Sequence, residues 1–135
     1  MQILKFLPLL LSGFISGIIL YQSLMIAPSI NKLLNGQDAS LYLRYIWPKF
    51  FIIIGILSLF SFTCILLFNF NQNTAKILSI LSAFFMIISY VAIPYMNQAK
   101  DSLNDSTFNI LHSGSIILTI ITLIMNLAIF FSWKY

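Results

Sequence analysis

A chain of 135 residues with 60% hydrophobic, 16% aromatic and only 7% charged side chains, at a mean hydropathy of +0.98, lies far from the roughly 25% charged usage of a soluble globular domain. The formal charge of +4 comes from seven Lys and Arg scattered singly along the chain, with no patch or stripe of the kind nucleic-acid binding needs. A single cysteine, Cys64 within the apolar run 62–68, excludes an intramolecular disulfide, a CxxC redox pair and a zinc cluster.

Four apolar segments, about 6–30, 50–68, 77–96 and 108–133, each approach the roughly 20 helical residues that cross a hydrocarbon core of about 30 Å. Only helices and closed barrels satisfy their backbone groups in lipid, and runs this long are too long for barrel strands. The expected fold is therefore all-α, an integral membrane antiparallel four-helix bundle forming one domain over 1–135. The partner it requires is the lipid bilayer, with no nucleic acid.

The first run follows Met1–Lys5 and continues without a charge for about 25 residues. Secretory h-regions span about 7–15, so it reads as a retained span. Gly13 and Gly17 form a small-xxx-small pair, continued by Tyr21 at i+4. Such a face suits close helix packing, including association of copies into a homo-oligomer. Pro28, followed by Ser29 and Asn31, reads as the stop of this helix.

In the long connection, Asn35-Gly36 marks a break and Asp38 is placed to cap a helix starting at Ala39. Leu41, Tyr42, Tyr45 and Ile46 alternate with Arg44, and Trp47 favours headgroup level. A short interfacial helix between spans one and two is the resulting expectation, with Pro48 in the first turn of span two. Span two has Gly55, Ser58 and Ser61 as small positions. The short turn 69–74 makes spans two and three antiparallel neighbours. Span three carries a seam of Ser79, Ser82, Met86 and Ser89 and ends in Pro94-Tyr95-Met96-Asn97.

Span four is the most informative. Asp101, Asp105, Phe108, His112, Ser115, Thr119, Thr122 and Asn126 recur at alternating steps of four and three, which puts them on one helix face. The flanking positions are Ile, Leu and Met, so the polar stripe is expected to face the bundle and the apolar side the lipid. Ser115 to Asn126 read as packing glue. An ionisable residue inside a span is a functional candidate, and His112 is the only histidine. It would serve in proton transfer or ligand contact, or else cap the bundle rim by hydrogen bonding Tyr95 or a backbone carbonyl. Asp105 lies about 10 Å along the helix from it, so a direct pair needs a bend around Ser106-Thr107.

Following the alternation of spans, Pro28, Trp47, Pro48, Pro94, Tyr95, Asn97, Asp105, Phe108 and His112 all converge at one membrane face. Lys5, Lys76 and Lys134 stand on the other side and Lys32, Arg44, Lys49 and Lys100 on this one. The positive-inside rule therefore assigns no orientation. No nucleophile elbow, phosphate loop or metal-ligand spacing is present, so neither cofactor nor metal is expected.

Several ordered motifs also resemble a known family. They are Ala27-Pro28, Tyr45-Ile46-Trp47-Pro48-Lys49-Phe50-Phe51, Ile93-Pro94-Tyr95-Met96-Asn97 and Phe108-Asn109-Ile110-Leu111-His112-Ser113-Gly114-Ser115. This set resembles the transmembrane-protein-205-like family of four-span proteins (domain of unknown function 4149) over nearly the whole chain, with Trp47 in place of the more usual Phe. The resemblance implies Pro28, Pro48, Pro94, Phe108, His112 and Ser115 as family positions and a four-span membrane fold, but no established activity.

The function expected from all this is a small-ligand binding or transport-related module with a polar rim around His112. The alternatives are a small membrane enzyme acting on a lipid-soluble substrate, with His112 as acid/base beside Asp105 or Tyr95, and an assembly subunit of a membrane complex. A bacterial inner (cytoplasmic) membrane is the expected location.

Overall fold

The computed structural model describes residues 2–135. It consists of α1 (Gln2–Tyr21), a π-helical turn (Gln22–Ile26), α2 (Ala27–Leu33), α3 (Gly36–Phe68), α4 (Asn73–Asp101) and α5 (Asp105–Ser132). The first three run on as one rod, so four rods result, each long and apolar enough to cross a membrane. They follow one another up and down. α4 packs between α3 and α5, and α1 closes the ring against the same two helices.

The bundle is apolar on its outer surface as well as in its core, and its small polar side chains are turned inward. Ile52, Ile53, Ile56, Phe60, Phe84, Ile87, Ile117 and Ile124 face outward, whereas Ser12, Ser16, Ser58, Ser61, Ser79, Ser82 and Ser89 are buried. Lipid tails are as apolar as leucine, so burying leucine drives nothing in a membrane. Small residues there let helices approach closely. Gly55 shows this at the α3–α4 contact: a Cβ built on it would lie 3.6 Å from the Met86 Cβ. Beside it, Ser61 Oγ and Ser79 Oγ are 3.4 Å apart. The expected seam Ser79–Ser82–Met86–Ser89 is buried along its whole length.

Two expectations about helix ends need correction. None of the prolines stops a helix. Pro48 and Pro94 lie inside α3 and α4, and Pro28 stands in the first turn of α2 without breaking the rod. A proline removes one backbone bond and crowds the carbonyl four residues earlier. At Pro28 that carbonyl is Leu24's, and the turn widens just before it: the Ala27 N–H bonds Gln22 O, an i→i−5 step. Ser29 Oγ then donates to Met25 O at 2.6 Å. The widened turn makes room for the proline ring, and the serine hydroxyl adds a bond to the neighbouring carbonyl, adjustments of the kind by which membrane helices carry proline.

The second correction concerns the connection after span one. The helix expected from Ala39 to Trp47 forms, but as the first turns of α3 and not as a separate interfacial element. Its cap is Asn35, whose Oδ1 accepts the Asp38 N–H at 2.8 Å while its Nδ2 donates to Asp38 Oδ2 at 2.8 Å. With 33 residues, α3 is about 50 Å long, and its N-terminal turns exceed a core of about 30 Å.

The α4–α5 turn is tight. Asn104 N bonds Ala99 O at 2.9 Å and Leu103 N bonds Lys100 O at 3.2 Å, the paired bonds of a Schellman stop. Leu103 sits at φ 57°, in the left-handed region. Asn104 then caps α5 by accepting the Thr107 N–H at 3.1 Å. At the opposite end, Asn69 Nδ2 donates to Lys5 O at 2.9 Å, and Gln72 Oε1 accepts the Lys134 N–H at 3.1 Å while its Nε2 donates to Lys134 O. The Asn/Gln turn thus clasps both the start of α1 and the segment after α5.

Candidate functional site

Three helix faces and the π turn enclose a cavity of about 470 Å³ at the rim where α3 begins and α4 ends. From α3 come Gly36, Ala39, Ser40, Leu43, Arg44 and Trp47, spaced three and one apart, a single helical stripe, continued by Phe50 and Phe51. α4 contributes Ile93, Met96, Asn97 and Lys100, and α5 contributes Phe108, His112, Ser115, Ile116, Thr119 and Ile120. Gln22 and Ser23 on the π turn and Asn31 on α2 complete the wall. Each set obeys the 3.6-residue period, so the cavity is a property of helix faces and not of loops.

Its lining is mainly apolar with a few polar groups, and its size falls within the roughly 300–1,000 Å³ of small-molecule sites. Trp47 meets Phe50 edge-on (centroids 5.5 Å, 88°) and stacks on Phe51 (5.6 Å, 23°). On the facing helix Phe108 and His112 stack at 5.4 Å and 9°. His112 is half-buried, and no hydrogen bond to its ring forms among the described residues. At the mouth, Arg44 grips Asp101 through two nitrogens, Nη1 to Oδ2 at 3.1 Å and Nη2 to Oδ1 at 2.5 Å. This pair ties the projecting start of α3 to the end of α4. Lys100 Nζ lies 5.0 Å above the Phe108 ring. No carboxylate lines the cavity.

Of the residues singled out in the sequence, Trp47, Asn97, Phe108, His112, Ser115 and Thr119 come together on this wall. Pro28, Pro94, Tyr95 and Asp105 are exposed and outside it, and Pro48 is half-buried within α3. α5 is continuous from Asp105, so the bend that an Asp105–His112 pair would need does not form. Thr122 and Asn126 lie deeper in the bundle, 0% and 2% exposed. Thr119 and Thr122 spend their hydroxyls on their own helix, bonding Ser115 O and Leu118 O at 2.8 Å. The interhelical bonds of the seam are made by Asn126.

Gly13 and Gly17 divide in role. A Cβ on Gly13 would come within 3.3 Å of Phe130 Cζ on α5, so that glycine serves packing inside the chain, whereas Gly17 has nothing within 4 Å. Tyr21 beside it is exposed.

The sequence reading missed the α3 stripe because the larger outward residues Leu41, Tyr42 and Tyr45 dominate that segment. Its signal was the spacing of Gly36, Ala39, Ser40, Leu43 and Arg44. Gln22 was missed as well, although it is the only carboxamide side chain in the apolar run 6–30. The chain matches no family model, no curated protein and no solved structure.

Proposed function

We propose that this four-span protein is a membrane module that binds a small lipid-soluble ligand, related to transport, in the cavity beside His112. The observation that carries this reading is the cavity itself: about 470 Å³ of space with an aromatic and aliphatic wall and a few polar groups. A bundle built only for packing gains nothing by leaving that volume unfilled, since each missing contact forfeits dispersion energy. The enzyme alternative is left with His112 as its only titratable group below the charged mouth, because Asp105 and Tyr95 stand off the wall. The motifs around Pro28, Pro48, Pro94, Phe108, His112 and Ser115 support membership of the transmembrane-protein-205-like family, and a bacterial inner membrane remains the location proposed.

The reading is tested by native mass spectrometry of the full chain released from mild detergent. Wild type is expected to retain small-molecule adducts that are lost in Ala39→Trp, which fills the mouth from a half-buried position. Identical adduct spectra for the two proteins would refute it.

Self-association through span one is a second reading, favoured by Gly17 alone. An uncovered glycine between Phe14, Ile18 and Tyr21 leaves a groove into which the same helix of a second copy fits, as small-xxx-small faces allow.

A further inference from the structure

We propose that the ligand of the His112 cavity is a single-chain amphiphile with an anionic head, held by Lys100 at the mouth, with the Gln22 carboxamide donating to a ligand oxygen. The proposal rests on the ligand-binding reading above and narrows it to one chemical class.

Charge is the first argument. Arg44 and Lys100 are the charged side chains on the wall, and no Asp or Glu lines it. Arg44 is already neutralised by Asp101. No carboxylate pairs with Lys100 among the described residues; its ammonium instead lies over the Phe108 ring. An uncompensated cation at the opening of an apolar cavity favours a ligand that brings one negative charge and leaves it at the opening. A cationic head would meet the uncompensated Lys100, with no acid on the wall to receive it.

Gln22 supplies the second, independent argument. It is 7% exposed, and its Nε2 has no hydrogen-bond partner, although it lies on the cavity wall. A buried amide donor left unpaired keeps its full desolvation penalty, which a ligand oxygen would remove. This residue opens the π turn before Pro28. Trp47, Phe50, Phe51 and Ile116 form the aromatic and aliphatic part of the lining, which suits a hydrocarbon chain and not a bare ion. A volume in the range of one drug-sized molecule favours a single chain over a two-tailed phospholipid.

The experiment uses the full chain in phosphatidylcholine nanodiscs and follows quenching of Trp47, with Trp47→Phe as the control for the origin of the signal. Dodecanoate, dodecyl phosphate, dodecanol and inorganic phosphate are titrated in turn. The anionic amphiphiles are expected to bind about ten-fold tighter than dodecanol, the worth of one charge-assisted contact. Lys100→Gln should erase that preference and Lys100→Arg should keep it. Gln22→Leu should weaken both anionic amphiphiles several-fold. The ratio of dodecanoate to dodecyl phosphate distinguishes a carboxylate from a phosphate head. Equal affinity for dodecanol and dodecanoate, or a preference that survives Lys100→Gln, overturns the proposal while leaving the cavity reading intact. Inorganic phosphate binding as tightly as dodecyl phosphate also overturns it. No quenching by any amphiphile would overturn both readings.

Discussion

Asn126 on α5 donates through Nδ2 to Ser82 Oγ on α4 at 3.1 Å, and its Oδ1 accepts from Ser12 Oγ on α1 at 3.3 Å. Nδ2 also reaches Thr122 O at 2.9 Å. One buried amide therefore joins three of the four rods. Interhelical hydrogen bonds in membranes average about 0.6 kcal/mol and reach about 1.7, so the amide secures register as well as strength. Asn126→Ala is expected to destabilise the bundle by about 1–3 kcal/mol, the sum of lost bonds and an unfilled volume. A double-mutant cycle with Ser82→Ala in a denaturing-detergent titration should return a coupling near 0.6 kcal/mol. Zero coupling would mean the contact is incidental.

Leu103 offers a change in the opposite direction. It occupies the left-handed region at φ 57° while its side chain is 84% exposed, so strain is present without packing to offset it. The left-handed conformation costs an L-residue roughly 1–2 kcal/mol, and glycine escapes that cost at the expense of a more flexible unfolded chain. Leu103→Gly should therefore stabilise the protein by up to about 1 kcal/mol, seen as a higher midpoint in thermal unfolding. A lower midpoint would show that the side chain has a role in the turn.

The Gln72 clasp predicts a local effect. Its carboxamide both accepts from and donates to the Lys134 backbone and is 8% exposed. Gln72→Ala should speed amide hydrogen exchange at Trp133 and Lys134 while leaving α4 protected, because the bonds lost are confined to that rim. Uniform loss of protection would mean that the clasp holds the whole bundle together.

How much of this was legible in the sequence depends on what each residue's neighbours decide. The four spans and the inward stripe of α5 follow from periodicity, and burial rises along that stripe from exposed Asp105 through half-buried His112 to Thr122 at 0%. Pro28 and Pro94 misled because propensity treats proline as a terminator, and Pro48 because it suits a helix's first turn, whereas helices in a bundle can absorb proline, at Pro28 through a widened turn. The cavity could not be read from any single span. It lies where small α3 residues, Gly36, Ala39 and Ser40, share a wall with the Phe108 and His112 ring pair, and only the packing brings those faces together.

Asp101 controls the charge of the mouth without lining it. Asp101→Asn would release Arg44 from its two hydrogen bonds and give the cavity a second uncompensated cation. Surface ion pairs contribute little to stability, so the thermal midpoint should hardly move. Affinity for dodecanoate should rise while affinity for dodecanol stays constant. A rise in both would mean that the substitution reshapes the cavity instead of its charge.

The π turn and Pro28 form the last testable link between backbone and site. Pro28 crowds the Leu24 carbonyl in an ordinary α-helix, and the i→i−5 bond from Ala27 to Gln22 O opens the turn that makes room for it. That widening shifts the rotational phase of everything before it by one residue, about 100°, and so sets which way Gln22 points. Pro28→Ala removes the crowding and restores an N–H, allowing the turn to close to α geometry. The substitution should therefore strengthen the rod, slowing amide exchange across residues 22–28, while carrying Gln22 away from the wall and weakening dodecanoate binding several-fold. Slower exchange with unchanged affinity would show that the amide does not depend on the π turn for its place. Faster exchange would show that Pro28 stabilises the widened turn directly.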